Sequence, residues 1–452
     1  MESGESGELK VRIDAFHALV ASAFCAGLSM PLTRVFLLLA LVLTIREAVQ
    51  GRVRWRISAS AWGWIAYVVL AVTVTALVAA TLPEGALIDP ARGLRKTDKL
   101  LWYAGVLLFP LHVTTRDRFR QVLSAFTLGA GLYAVCILVF HPIAAGILSH
   151  YSNPMGRVWH PPKGSLSRSF LNLVKDLGMK GDLKRWCIEC QARGSFNKAL
   201  AYMSGMGAGQ RMMAAALTSL WLLPVRWKET GRFTWVWKVL PVVLFAGLVV
   251  TLKRGSLFVF LLLGLVFAMR HIGGKRCVLA LALLVVMVWT LPASRARLRQ
   301  IPDEFRLEKG GRVLLWTNLA PAIRKQYPWG VGFRGLTYPA LRYATDNGWR
   351  LEQKQNHLHN NILQVQVEFG NLGLAVYFAW MALAFRSALR RARTPWADET
   401  DGDGPCRTAP LVLLAAFFLN GLVEYNLADG EITLLYGLAM GLAETRPAIA
   451  KE

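Results

Sequence analysis

The sequence predicts an all-α fold, a polytopic membrane bundle of about 12 transmembrane helices. Three observations carry this reading. Hydrophobic residues fill 54% of the 452 positions, charged residues fill 18%, and 16 are Trp, while mean hydropathy is +0.37. Apolar runs close to the roughly 20 residues that cross a bilayer recur along the chain. Lys and Arg cluster in the short connections that would share one side of such a bundle.

The acidic, polar opening MESGESGELK leads into the first apolar run without a marked small-residue cleavage site. No cleavable signal peptide is therefore expected. The runs fall near 13–30, 32–46, 60–82, 98–113, 120–147, 197–224, 234–252, 255–270, 275–292, 361–386, 409–425 and 430–445. The second, fourth, eighth and last are short or weakly bounded. An even count places both termini on one side. This divides the chain into a first membrane part, 1–292, containing a loop near 148–196; a large loop, 293–360; and a C-terminal part, 361–452, with the last three spans.

With the N-terminus inside, the cytoplasmic connections hold Arg46, Arg52, Arg54 and Arg56, then Arg116, Arg118 and Arg120, then Arg226, Lys228 and Arg232. Arg270, Lys275 and Arg276 follow, and then Arg386, Arg390, Arg391 and Arg393. The opposite orientation would put all five clusters outside, against the positive-inside tendency. The two long outer loops are basic as well and account for much of the formal charge of +24. Long loops follow the positive-inside rule weakly, so the orientation stands. Basic charge on an outer membrane surface suits phosphate-bearing lipids or anionic glycolipids, and also plain contact with lipid headgroups. No nucleic-acid module is visible.

The segment His357–Gly373, HLHNNILQVQVEFGNLG, turns the large loop into the tenth span. Asn361, Gln364, Glu368 and Asn371 recur there at helical spacing and share one predicted face. A carboxylate and three amides on a membrane helix are costly unless they face a wet or protein-lined cavity. With the N-terminus inside, Arg193 before the sixth span, Lys253 and Arg254 in a tight hairpin, Arg312 in the large loop and His359 all emerge on the outer side. Arg suits phosphate oxygens because its planar fork donates parallel hydrogen bonds and stays charged. A single Arg at a helix end also serves as a snorkelling anchor.

His357 and His359 straddle one residue, a spacing that would point them in different directions at a helix start. A histidine leading a polar stripe beside arginines is a candidate general base, since its unperturbed pKa lies near neutrality. No HExxH or comparable ligand spacing is present, so no metal and no cofactor are expected. Cys187 and Cys190 form CIEC in the first outer loop, open to a disulfide, a metal pair or two thiols, with a structural role expected. Gly370 and Gly373 suit close helix packing, and PWGVGFRG reads as a turn-rich loop rather than a phosphate loop.

These pieces together resemble the O-antigen ligase and polymerase superfamily. His359-Asn360 followed by Glu368, Gly370 and Gly373 is similar to its HN…E-x-G-x-x-G signature. Arg193 with Gly194 and Phe196 resembles its RxxG/F element, and Lys253-Arg254-Gly255 resembles its SRG hairpin, with Lys in place of Ser. Gly311-Arg312…Trp316, then Pro328, Gly330 and Gly332, is similar to its GR…W…PxGxG loop. The resemblance covers roughly 190–375, and the order of the elements makes it specific.

The resemblance implies a glycosyltransferase C-like helical bundle with a large helical periplasmic loop region over the active site, in the bacterial inner membrane. It implies an O-antigen ligase: inverting, metal-independent transfer of a polysaccharide from undecaprenyl diphosphate to the lipid A core. His359 would be the base, while Arg193, Arg254, Lys253 and Arg312 would hold the diphosphate. His357, Asn360, Gln364 and Glu368 would support them. A polymerase, elongating glycan on its undecaprenyl carrier, is the alternative. Arg324 to Gly335 fits the RX10G spacing used to describe polymerases, but the Arg193 loop has Ser204 where the glycine would fall. A lipid-linked sugar flippase or other transporter would instead place its charges mid-span, at broken helices.

Overall fold

In the computed structural model, the described residues are 14–81, 90–151, 206–226, 234–251, 253–271, 312–348, 357–396 and 404–445. Helices dominate them, and no strand occurs among the described residues. In chain order they are α1 (Ala15–Leu28), α2 (Met30–Val49), α3 (Ala59–Thr81), α4 (Pro90–Lys96), α5 (Asp98–Leu101), α6 (Gly105–His112) and α7 (Arg116–Tyr151). Then come α8 (Met206–Arg226), α9 (Thr234–Val250), α10 (Arg254–His271), α11 (Arg312–Leu314), α12 (Ala320–Gln326), α13 (Thr337–Asp346), α14 (Asn361–Arg393), α15 (Gly404–Gly421) and α16 (Gly430–Ala443).

Most of the expected apolar runs become helices because their residues offer no polar face that would favour another arrangement. By length and composition, α3, the 116–139 part of α7 and α14 can each cross a bilayer; α1, α9 and α16 are apolar but shorter. The expected span 98–113 is broken: α5 passes through a 3-10 turn, Trp102–Ala104, into α6. The expected span 275–292, the loop residues 152–196 with Cys187 and Cys190, and Arg193 lie outside the described residues.

The bundle is organised around α8 and α16, whose residues are buried almost all round. Such helices are core elements rather than amphipathic surface ones. α8 packs against α7, α9, α10 and α15, and α16 against α6, α14 and α15. Gly441 lets α16 approach closely, since a Cβ there would lie 2.6 Å from the Gly105 carbonyl oxygen. At the rim, α2 exposes Val35, Leu38, Val42 and Ile45. That continuous apolar stripe suits lipid and would be a liability in water.

The large loop region has its own small core. Leu315, Leu319, Ala320, Ile323, Val331, Leu336 and Ala340 pack with Val78 of α3 and with Leu358 and Val367. A π-helical stretch, Leu315–Leu319, joins α11 to α12. The hydroxyl oxygen of Thr75 in α3 accepts from the Phe333 N–H at 2.9 Å, which ties this cap to the bundle.

Candidate active site

The site forms where four segments meet: the start of α14, the turn between α15 and α16, α11, and the N-terminus of α10. Asn360 caps α14, its side-chain oxygen accepting from the Leu363 N–H at 3.0 Å. Its amide also donates to the Leu422 carbonyl at 2.8 Å, so the cap binds the α15–α16 turn. Asn361 continues that contact: it donates to the Asn426 side chain at 2.6 Å and accepts from the Asn426 N–H at 2.9 Å.

That turn delivers Glu424 to His359. Nδ1 of His359 lies 3.0 Å from one Glu424 oxygen, and Nη2 of Arg312 lies 2.8 Å from the other. Arg312 Nη1 donates to the Val423 carbonyl at 2.6 Å. Burial acts to raise the Glu424 carboxyl, but the His359 hydrogen bond and the Arg312 charge prevail and hold it below its usual value. Beside the ionised Glu424, Nδ1 is the donor of this contact, and in the neutral ring that tautomer puts the lone pair on Nε2. His359 is partly exposed, so that nitrogen can serve an acceptor. This is a base oriented by a third group.

The hairpin ahead of α10 approaches the same turn. A Cβ on Gly255 would lie 3.2 Å from Val423 and 3.9 Å from Glu424 Cγ. Arg254 therefore opens its helix beside the Glu424 turn. The Lys253 stem passes over α8, where a Cβ on Gly209 would meet its Cγ at 2.6 Å. Lys253, Arg254, Arg312 and His359 thus stand on segments that converge. Arg312, expected at the diphosphate, also has both terminal nitrogens turned toward the 423–424 backbone and carboxylate.

Behind the histidine, the polar stripe is an internal scaffold. Gln364 accepts from the Leu358 N–H and donates to Glu368, each at 2.8 Å. Glu368 is fully buried and also accepts from the Arg334 N–H at 2.8 Å and the Tyr425 hydroxyl at 3.3 Å. Asn371 departs from the predicted face. Gly370 adopts φ 66° and ψ −164°, which interrupts the helix and turns Asn371 outward. The PxGxG loop docks into this break: the Val331 and Gly332 N–H groups donate to the Val367 and Glu368 carbonyls at 3.0 and 2.9 Å. A Cβ on Gly330, also at positive φ, would lie 2.3 Å from the Glu368 carbonyl oxygen. Gly370 is thus a break in the helix that receives a loop, beyond the close packing expected of it.

The two histidines do not diverge. Their ring centroids are 4.2 Å apart, because they precede the helix and His359 takes φ 52°. Arg334, at φ 54°, is the other non-glycine residue in the left-handed region among the described residues. Such conformations cost about 1–3 kcal/mol each and gather at functional sites. Burial, and then the neighbouring His359, lower the His357 pKa to about 4, with Glu424 pulling the other way.

The sequence reading missed Glu424, Tyr425 and Asn426. Their signal was faint: a lone acid and amide just beyond an apolar run, meaningful only once the turn reaches α14. No group of three or more His, Cys, Asp or Glu residues suited to a metal occurs among the described residues.

Fold and site together define a helical protein with membrane-length helices, in which a folded cap closes over a His–Glu–Arg cluster at a helix start. Residues 239–378 match the family model described as O-antigen ligase. The chain therefore carries an O-antigen ligase family domain, as its motifs implied. That stretch holds Lys253, Arg254, Arg312, His357, His359, Asn360, Gln364 and Glu368, whereas Arg193 and Glu424 fall outside it. Comparison with curated proteins gives no match.

Proposed function

We propose that this protein is an O-antigen ligase, transferring polysaccharide from undecaprenyl diphosphate to the lipid A core at the periplasmic face of the inner membrane. The observation that carries the proposal is the His359–Glu424 contact at the junction of cap and helix, with His359 inside the family-matched stretch. His359 Nε2 takes the proton of the acceptor hydroxyl as its oxygen attacks the anomeric carbon. The bond from that carbon to the diphosphate oxygen breaks, its electron pair leaves with the lipid diphosphate, and the configuration inverts. Arg254, Lys253 and Arg193 bind the leaving group and stabilise its developing charge. Arg312 adds positive charge there while holding Glu424. Asn360, Gln364 and Glu368 hold the backbone around the base, and His357 packs against it. No metal is needed for this displacement.

The polymerase reading rests on the Arg324–Gly335 spacing, and a transporter would concentrate charge mid-span. The cluster at a helix start beneath a folded cap favours transfer chemistry over transport. The test is His359→Ala expressed in a cell lacking its own ligase, with lipopolysaccharide resolved on gels. Loss of the capped ladder, with normal membrane insertion, is expected. A normal ladder contradicts the proposal.

A further inference from the structure

An open cavity lies on the side of α14 opposite Gln364 and Glu368. It has a volume of about 330 Å³ and is lined by Pro321, Arg324, Lys325, Pro328, Gln366, Gly370 and Asn371. Gln366 lies two residues from both Gln364 and Glu368, so it occupies the opposite helix face. It donates to the Asn371 side-chain oxygen at 3.0 Å, and the Gly370 break is what turns Asn371 into the cavity wall.

The lining chemistry is specific. Arg324 and Lys325 are exposed, neither forms an ion pair among the described residues, and no acid lines the cavity. Two amides, Gln366 and Asn371, line the same cavity. Trp329, beside Pro328, is 78% exposed, and Leu372, which follows Asn371, is 55% exposed. Cations, amides, an aromatic ring and an apolar side chain thus lie together at this edge of the cap and α14. That combination suits an amphiphile whose phosphates meet Arg324 and Lys325, whose sugar hydroxyls meet the amides, and whose acyl chains run along Leu372. Polar side chains on the outside of a membrane helix are costly without such a partner. The cavity volume falls within the range of small-ligand sites.

We infer that this cavity is the docking site for the phosphorylated glycolipid headgroup of the acceptor, distinct from the reacting site at His359. The inference rests on the transfer reading above and extends it. Gln366 lies six residues below Asn360, about 9 Å along the helix. The phosphorylated lipid end therefore docks low on α14, while the core sugars reach over the helix start to the base.

The test uses the full chain in neutral-lipid nanodiscs, titrated with lipid A core glycolipid and with the same glycolipid after phosphatase treatment. Phosphorylated glycolipid should bind at least about tenfold tighter, and Arg324→Gln/Lys325→Gln should abolish that difference. Both side chains are exposed, so the melting temperature should not change, and single Arg324→Gln should show an intermediate loss. Equal binding by the double variant, or equal competition by phosphatidylglycerol vesicles, would overturn the inference. His359→Ala should bind like the wild type. Binding by the wild type without transfer would count against the transfer reading alone, while transfer with unchanged acceptor KM in the double variant would count against the docking site alone.

Discussion

Replacing Glu424 by Gln keeps the shape of the α15–α16 turn and removes one charge. The wild-type carboxylate accepts from His359 Nδ1 at 3.0 Å and from Arg312 at 2.8 Å. A hydrogen bond to a charged group is worth about 1.5–3 kcal/mol, and each 1.36 kcal/mol is tenfold in rate. If that contact fixes the tautomer and steadies the imidazolium as it forms, Glu424→Gln lowers kcat by about 10- to 150-fold. Donor KM should stay near wild type, because the lost interaction serves the base. Single-turnover transfer with purified protein in nanodiscs measures both. Arg312 loses its counter-charge in this variant, so thermal melting must be recorded alongside to separate folding from chemistry. The cycle with His359→Ala should be strongly non-additive, since the pair acts as a unit. A folded Glu424→Gln enzyme with kcat within twofold of wild type would refute the reasoning.

Three further outcomes follow from the same geometry. Gly370→Ala forces a side chain to positive φ and places a Cβ 2.7 Å from the Pro328 carbonyl oxygen; it should destabilise the protein by about 1–3 kcal/mol, read as a lower melting temperature. His357 has a folded pKa of about 4 against a reference of 6.5. It therefore contributes stability above pH 6.5 that is lost as pH falls toward 4, up to about 3 kcal/mol, and His357→Gln should flatten the melting temperature over that window. Chelator should leave the transfer rate unchanged; complete loss restored by one divalent ion would contradict the metal-free displacement.

The helices were legible because apolar runs admit little else in a bilayer, and the start of α14 agrees with its expected position. The interior of the large loop was less so. Leu315, Leu319 and Ile323 recur at helical spacing, but the dense Lys and Arg around them read as a basic loop, and their burial depends on α3 and α14. The site divides along the same line. His359, Asn360, Gln364 and Glu368 follow one another on a single segment, so their association could be read locally. Glu424 lies 65 positions beyond His359, and nothing short-range marks it as the partner. Asn371 was assigned to the wrong face because helical counting assumes an unbroken helix, and Gly370 breaks it. The same assumption separated two histidines that the left-handed backbone at His359 brings together.

The central claim is tested most directly by incubating purified protein with undecaprenyl-linked glycan and lipid A core and analysing the products. The account predicts lipid A core capped with glycan, formed with inversion at the transferred anomeric carbon. Elongated glycan still on its undecaprenyl carrier, with the core untouched, would contradict it.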